Sequence, residues 1–352
     1  MSSIAVTEYS ARPGWLVGRN FDTTLIVGVG LLSLGVGGFS WYYPALFGPL
    51  LIADLWFLGY HHVIATFTRL AFDAESFRQY KFLVVWLPLF VVIAVVAVVL
   101  ALGPWILATT YLYWQWWHYT RQAYGISRIY QVKGNPQSKS GIDEYIMYLL
   151  PVTGILFRSC QNPGTFLGME LRVLPVSQTV VEAAFALTLT GVMYWLFRQY
   201  KSYQAGTLTW GYFLFGLSHF FIFTVGYMII PDINIGWLVV NVWHNAQYIL
   251  FVWMYNNKRF KDGVDPDHRF LSTLCQRKNQ WAYYLVCIIL STILFFTLDR
   301  WLTLLEPILP FKISTFPLIL ILFQTINFHH YIVDAIIWQV RKKPLRQTLE
   351  IA

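Results

Sequence analysis

The chain has 352 residues, of which 57% are hydrophobic and only 12% are charged, and its mean hydropathy is +0.52. This composition is far from that of soluble globular proteins and is typical of a polytopic membrane protein with no separate soluble domain. The net charge of +8 is explained by membrane topology and by anionic lipid headgroups, so we expect membrane lipids as partners and no nucleic acid.

Windows of about 20 apolar residues predict ten transmembrane helices. They lie near 23–45, 49–69, 82–102, 104–125, 143–160, 178–198, 207–229, 235–256, 281–303 and 313–340. We therefore predict an all-α, polytopic helical bundle that forms one transmembrane domain over residues 1–352. Sizeable polar connections are 126–142, 161–177 and 257–280. The parts predicted on the side of the two termini are a short N-terminal segment (1–22), the loops 126–142 and 257–280 and a C-terminal tail (341–352).

The basic residues predict how the helices are oriented. If ten spans alternate in direction, all but four of the 25 Lys and Arg residues fall on one side of the membrane. The four exceptions are Arg158, Arg172, Arg300 and Lys312. By the positive-inside rule the basic side is cytoplasmic, so we expect both termini in the cytoplasm. The predicted location is the bacterial inner membrane.

Seven of the eight histidines lie within apolar stretches, where an ionisable side chain is costly and is therefore a candidate for function. They are His61, His62, His118, His219, His244, His329 and His330. Six of them lie on the second, fourth, eighth and tenth spans, which cross the membrane in the same direction. At a rise of about 1.5 Å per residue, His62 and His118 lie at nearly the same depth. His244 is somewhat shallower and His330 somewhat deeper, so the four helices can bring their imidazoles together. His219 on the seventh span is a further candidate.

Polar side chains accompany these histidines at helical spacing. On three spans an amide lies three residues before a histidine and a second polar group lies three or four residues after it, which places all three groups on one helix face. The three sets are Gln115, His118 and Gln122; Asn241, His244 and Gln247; and Asn327, His330 and Asp334. Asp54 lies seven residues before His61 on the same predicted face. Metal-bound histidines usually donate their second ring N–H to such oxygens, so these residues are candidates to orient the imidazoles.

Several interpretations of the histidines stay open at this point. Histidines in helical bundles form hydrogen bonds between helices, and paired histidines also hold haem. The Trp- and Tyr-rich sequence around His118 leaves little room for a porphyrin. A His- and Asp-based ion or small-molecule transporter is the main alternative to an enzyme.

We favour a non-haem metal centre with iron, Fe²⁺, as the ion. Imidazole suits iron, and open coordination positions on iron permit O₂ chemistry. The carboxylates of Asp54 and Asp334 would offset part of the charge of the metal. The sequence thus predicts a membrane oxygenase that oxidises a hydrophobic substrate.

The aromatic residues, 18% of the chain, point to the kind of substrate. They crowd the helices around His118 and His244, where they can line an apolar slot for a lipid or a polyene. Near the predicted cytoplasmic ends of the histidine-bearing spans lie Arg69, Arg121 and Arg128, which are candidates to hold an acidic headgroup or to anchor the helices at the interface.

At these positions the chain resembles the bacterial Brp/Blh-type β-carotene 15,15′-dioxygenases. The matching segments are Tyr60-His61-His62-Val63, Trp117-His118-Tyr119, Trp243-His244-Asn245 and Phe328-His329-His330-Tyr331-Ile332-Val333-Asp334. The chain departs from that family because no Pro-His-Gly sequence opens the first segment and the span of His244 has no second histidine. The resemblance implies an iron held by histidines of the four segments and the cleavage of a carotenoid to retinal. The histidine boxes of membrane fatty-acid desaturases are absent.

Overall fold

The computed structural model describes residues 14–136, 141–305 and 318–351. The helices are α1 (Arg19–Tyr42), α2 (Pro44–Leu70), α3 (Ala74–Leu102), α4 (Trp105–Gly134), α5 (Gly141–Cys160), α6 (Gln178–Gln204), α7 (Trp210–Ile229), α8 (Ile233–Arg259), α9 (Arg269–Leu274), α10 (Gln280–Leu305), α11 (Leu318–Ile337) and α12 (Lys343–Leu349). A short antiparallel hairpin, β1 (Thr165–Phe166) and β2 (Met169–Glu170), connects α5 to α6.

Seven of these helices are long and apolar enough to cross a membrane: α1, α2, α3, α6, α7, α10 and α11. The protein is therefore an all-helical integral membrane protein. The other three predicted spans coincide with α4, α5 and α8, which are 30, 20 and 27 residues long but more polar. The polar residues of α8 are tolerated because nearly the whole helix is buried against its neighbours.

Some boundaries differ from the predicted ones. α4 continues to Gly134, so the first part of the predicted loop 126–142 is helical, while residues 137–140 lie outside the described residues. The predicted loop 257–280 contains α9, and the predicted tail 341–352 contains α12. α1 begins at Arg19 within the predicted N-terminal segment 1–22, of which residues 1–13 are outside the described part of the chain. Residues 313–317 of the tenth predicted span are also outside it.

The tail packs back onto the end of α8. Leu345 and Leu349 of α12 are buried, and the carboxylate of Glu350 pairs with Lys258 at 3.1 Å and with Lys261 at 3.0 Å. Hydrogen bonds from Lys261 and Lys258 lower the pKa of Glu350 to about 2. The C-terminal segment is thus held by ion pairs outside the membrane-spanning helices.

α8 lies at the centre of the bundle and packs closely on α1. The hydroxyl of Ser33 donates to the carbonyl oxygen of Val239 at 2.7 Å. A Cβ atom at Gly37 would lie 2.1 Å from Cγ2 of Val239, so a residue without a side chain is needed at this contact. This close approach holds α8, which is buried along most of its length, against α1.

A wide π-helical turn over Leu55–Gly59 lies in α2 directly before His61 and His62. Such a turn contains one more residue than an α-helical turn, so the side chains that follow it point in different directions around the helix axis. The seven-residue spacing of Asp54 and His61 therefore no longer places them on one face. The carboxylate of Asp54 instead accepts hydrogen bonds from the amides of Asn241 and Asn245 on α8.

Candidate metal centre

One histidine from each of four helices meets at a single buried point. These are His62 of α2, His118 of α4, His244 of α8 and His330 of α11, all of which are buried. The ring centroids of His62 and His330 are 4.5 Å apart, and those of His118 and His244 are 4.9 Å apart. The cross-distances are 5.6 Å for His62 and His244 and 5.1 Å for His118 and His330. We call these four residues the histidine cluster.

Ring nitrogens of the cluster face one another and the carboxylate of Asp334. Nε2 of His62 lies 3.0 Å from Nε2 of His330. Oδ2 of Asp334 lies 3.5 Å from Nε2 of His330 and 3.8 Å from Nε2 of His118. The ligand-type atoms of His62, His244 and His330 lie within 4.8 Å of one another, as do those of His118, His330 and Asp334. The two groups share His330.

These separations suit atoms that bind one ion. Ligands about 2.1 Å from a metal lie roughly 3.0 Å apart at right angles and roughly 4.2 Å apart when opposite. The measured distances of 3.0, 3.5 and 3.8 Å fall within this range. The donor set of imidazoles and one carboxylate is of the kind that suits iron, among other first-row metals.

A chain of hydrogen bonds determines which ring nitrogen of His330 faces the cluster. With Asp334 as a carboxylate, the hydroxyl of Tyr248 donates to its Oδ1 at 2.7 Å. The oxygen of Tyr248 accepts from Nε1 of Trp338 at 2.9 Å and lies 2.8 Å from the hydroxyl of Thr66. Tyr248 has used its proton, and the hydroxyl of Thr66 has two oxygen acceptors, Tyr248 and the carbonyl oxygen of His62 at 3.2 Å. Thr66 therefore accepts from Nδ1 of His330 at 3.1 Å. Nε2 of His330 then carries the lone pair that a metal would need.

His244 is the member of the cluster whose burial is hardest to explain without a ligand. It is 1% exposed, and neither of its ring nitrogens has a hydrogen-bond partner among the described residues. Buried polar groups are nearly always satisfied, because each unsatisfied group costs about 1–3 kcal/mol. The ring packs on Tyr119 at a centroid distance of 4.1 Å, and Gln122 donates to its backbone carbonyl at 3.2 Å. A bound ion would give this imidazole its partner.

Several predicted polar residues form a separate network beside His244. Asn241 donates to Asp54 at 2.5 Å and accepts from the hydroxyl of Tyr119. Gln115 also donates to Asn241, at 3.3 Å, and its side-chain oxygen accepts from Nε1 of Trp237 at 2.6 Å. The network thus fixes the position of Tyr119, on which the ring of His244 lies.

The structure places three of the predicted histidines away from the cluster. His329 lies 2.7 Å from the carbonyl oxygen of Leu83, and His219 lies 2.9 Å from that of Met147, so each ring donates to the backbone of a neighbouring helix. His61 contacts the ring of Tyr284 edge-on at 5.7 Å.

The remaining predicted amides also lie apart from the cluster nitrogens. Asn327 contacts Gln324 at 3.5 Å, one turn earlier on α11. The side chain of Gln247 is fully buried and has no hydrogen-bond partner among the described residues.

The three predicted headgroup arginines have different surroundings. Arg69 is buried, with its guanidinium 4.1 Å from the ring centre of Trp338 and 4.5 Å from that of Tyr255. Arg128 donates to Gln131. Arg121 is exposed and borders a cavity of about 320 Å³ that reaches His118 and Asp334.

Thr66 and Tyr248 belong to the site but were not predicted as site residues from the sequence. A sequence pattern could have identified them, because each histidine of the cluster has a hydrogen-bonding side chain four residues later. The pairs are His62 and Thr66, His118 and Gln122, His244 and Tyr248, and His330 and Asp334. The same rule distinguishes His62 and His330 from their neighbours His61 and His329, which are followed at that spacing by Ala65 and Val333.

A second group of ligand-type atoms lies where α2 is joined to the start of α3. Nε2 of His268 is 3.5 Å from Asp73 and 3.4 Å from Glu75, while its Nδ1 is 2.8 Å from Asp265. Arg259 already pairs with Asp73 at 3.1 Å. Burial alone would raise the pKa of Asp73. Hydrogen bonds from Ser76 and the charge of Arg259 outweigh that effect and lower the pKa. We interpret this group as polar contacts that join the start of α3 to the end of α8 and the segment that follows it.

Compared with protein-family models, curated proteins and solved structures, the chain gives no match.

Proposed function

We propose that the protein is a membrane-embedded non-haem iron oxygenase that uses O₂ to oxidise or cleave a hydrophobic substrate. The observation that carries the proposal is two overlapping groups of buried ligand-type atoms from four helices. His62, His244 and His330 form one and His118, His330 and Asp334 the other, each with its atoms within 4.8 Å of one another. We further propose the topology of ten spans with both termini in the cytoplasm, in the bacterial inner membrane, because α4, α5 and α8 are long helices within the same bundle.

The residues that would hold the ion are His62, His118, His244 and His330, with Asp334 at the same point. Iron bound there would supply O₂ activation, while neutral imidazoles would leave its two positive charges in a poorly solvated site. The carboxylate of Asp334 offsets one of these charges. Tyr248 holds that carboxylate by a hydrogen bond of 2.7 Å, which keeps it directed at the cluster.

The geometry favours this proposal over a haem between the cluster histidines. Two axial imidazoles on opposite sides of a haem iron would place their nitrogens roughly 4 Å apart, with the porphyrin between the rings. His62 and His330 approach to 3.0 Å, and their rings are 4.5 Å apart. No porphyrin fits between rings in such contact.

The geometry also favours a ligand role over simple hydrogen bonding between helices. His219 and His329 show what that role looks like in this protein, since each bonds a backbone carbonyl of another helix. His244 has no such partner among the described residues. A histidine used only to join helices would not be left in this state.

The substrate class rests on the cavity and on the resemblance to the carotenoid dioxygenases. The cavity reaches His118 and Asp334 and is lined mostly by aromatic and aliphatic side chains. Such a slot suits a lipid or a carotenoid better than a polar metabolite.

The proposal is tested without knowledge of the substrate by adding nitric oxide, a stand-in for O₂, to the purified protein loaded anaerobically with Fe²⁺. We expect the EPR signal of high-spin non-haem iron–nitrosyl in the wild type and in His219→Ala, and its loss in His244→Ala. A strong Soret band would establish a haem protein instead. Absence of the signal from iron-loaded wild type would refute an iron site open to O₂.

A further inference from the structure

The cavity beside the histidine cluster has a polar inner end and apolar walls. His118 and Asp334 lie at the inner end. The walls are formed mainly by large apolar side chains, among them Trp114, Trp117, Ile126, Phe251, Tyr331 and Ile332. Its volume of about 320 Å³ lies at the lower end of the range of ligand pockets, roughly 300–1,000 Å³. We call this cavity the lateral slot.

The exposed part of the slot border includes residues of both α4 and α11. Trp117 is 41% exposed, and Arg121 and Ala335 on its border are exposed as well. His118 and Asp334, at 6% and 7%, are buried. In the proposed topology of ten spans, this exposed edge faces the lipid chains around the bundle. A molecule with a long apolar chain can therefore enter from the bilayer.

Arg121 lies at this opening with its charge uncompensated. Its guanidinium forms no hydrogen bond or ion pair with any residue in the described ranges, whereas Arg69 is packed on aromatic rings and Arg128 donates to Gln131. The residue lies about 24 Å along α4 from Trp105 at roughly 1.5 Å per residue. In a hydrocarbon core about 30 Å thick, that position is near the far interface, where lipid headgroups lie.

We propose that the lateral slot binds a single-chain amphiphile with an anionic oxygen headgroup, a carboxylate or a phosphate, held at Arg121. Its apolar chain runs from there along Trp117 to His118 and Asp334. A guanidinium binds both headgroups through two parallel charge-assisted hydrogen bonds. The proposal names the substrate class of the oxygenase and so rests on that proposed function for its catalytic meaning, but binding itself needs no turnover.

The test is photo-crosslinking of the full-length protein in detergent micelles with a diazirine-bearing long-chain carboxylate. The labelled peptides are identified by mass spectrometry, and competitors of equal chain length are added. We expect labels on α4 and α11 that oleate or an alkyl phosphate displaces, while methyl oleate is at least about 10-fold weaker, because it lacks the charge that strengthens the hydrogen bonds. The relative potency of carboxylate and phosphate identifies the headgroup.

Variants separate headgroup binding from general damage. Arg121→Gln should weaken displacement by oleate about 10-fold or more, and Arg121→Lys should keep part of it. Arg128→Gln, a change of the same kind on the same helix but outside the slot, should leave it unchanged. Equal potency of oleate and methyl oleate, or unchanged binding in folded Arg121→Gln, would overturn the proposal and leave Arg121 as an interfacial anchor.

A further variant distinguishes failure of this proposal from failure of the oxygenase proposal. His62→Ala removes a cluster ligand but no residue of the slot border. We expect it to lose the iron–nitrosyl signal and to retain the preference for oleate over methyl oleate. Charge-selective binding without any iron signal in the wild type would preserve the amphiphile site and refute the oxygenase.

Discussion

The hydroxyl of Tyr248 is predicted to control metal affinity although it is not itself a ligand. It is the junction between Asp334, Thr66 and Trp338, at 2.7, 2.8 and 2.9 Å. Tyr248→Phe keeps the ring and removes these three contacts. Asp334 would then lose the donor that directs it at the cluster, and Thr66 would lose one of its two acceptors, keeping the carbonyl oxygen of His62 at 3.2 Å.

The expected magnitude follows from the number of groups left without partners. Each buried polar group without a partner costs about 1–3 kcal/mol of folding stability. Loss of a residue that orients a metal ligand typically lowers metal affinity about 10–100-fold, which corresponds to about 1.4–2.8 kcal/mol of binding free energy. Tyr248→Phe should therefore show both a lower melting temperature and a metal affinity reduced by one to two orders of magnitude.

The matched control is Tyr283→Phe. Tyr283 is equally buried, and its hydroxyl contacts Thr68 of α2 at 3.1 Å, outside the cluster. Both variants should be destabilised, but only Tyr248→Phe should lose affinity in anaerobic Fe²⁺ titrations of the detergent-purified protein. If the two variants bind Fe²⁺ as tightly as each other, the hydrogen-bond chain does not orient the ligands and this reasoning is wrong.

Three further predictions concern charge, ligand choice and pH. Asp334→Asn should lower metal content and affinity about 10–100-fold, because it removes the charge that offsets the ion while keeping the shape; full metal occupancy would show that Asp334 serves only in packing. His61→Ala and His329→Ala should keep the metal and lose only stability, and loss of metal from either folded variant in elemental analysis would contradict the assignment of their neighbours as ligands. Glu350→Gln should lower the melting temperature slightly at pH 7. The free energy of unfolding should fall by no more than about 1 kcal/mol, because the ion pairs are partly exposed. Because the pKa of Glu350 falls from 4.5 to about 2 on folding, its contribution is present above pH 4.5 and is lost toward pH 2, so thermal melts of wild type and variant should converge in acid; a constant difference would exclude the ion pairs with Lys261 as its source.

Much of the architecture could be predicted from the sequence because it depends on local patterns. Apolar stretches of about 20 residues predicted where long helices lie in the described ranges of the chain. An i to i+4 spacing predicted that Gln122 and Asp334 would lie on the same face as a histidine. These inferences need only the helical repeat and the cost of polar groups in lipid. The three more polar helices were still found, because in α4 and α8 histidines and amides, and in α5 a few other polar residues, interrupt the apolar sequence without ending it.

The choice within each histidine pair depended on helix rotation and stayed open. Adjacent residues on a helix differ by about 100°, so only one of His61 and His62 can face a given point. In α2 that choice follows the π-helical turn over Leu55–Gly59, which no periodic pattern reveals. The same turn moved Asp54 from the expected histidine face to the amides of α8. Polar residues four positions after His62 and His330 would have identified the inward-facing members.

Contacts between residues that are far apart in the chain could not be predicted from the sequence. Nothing in the segment around His268 indicates that it meets Asp73 and Glu75 at the start of α3. The position of Arg121 at a slot opening likewise depends on how α11 lies against α4. Such contacts follow from packing in three dimensions, so only the structure separates Arg121 from the other two arginines.

The most direct test of the central claim is the iron content of the detergent-purified protein after anaerobic loading and removal of excess metal. The histidine cluster predicts at least one tightly held iron per chain in the wild type and in His219→Ala, whose imidazole bonds a backbone carbonyl. It predicts near-complete loss of iron from His244→Ala and His330→Ala, each shown to be folded by gel filtration and thermal melting. Equal iron content in all four proteins, or no retained iron in any, would contradict a metal centre built by the four histidines.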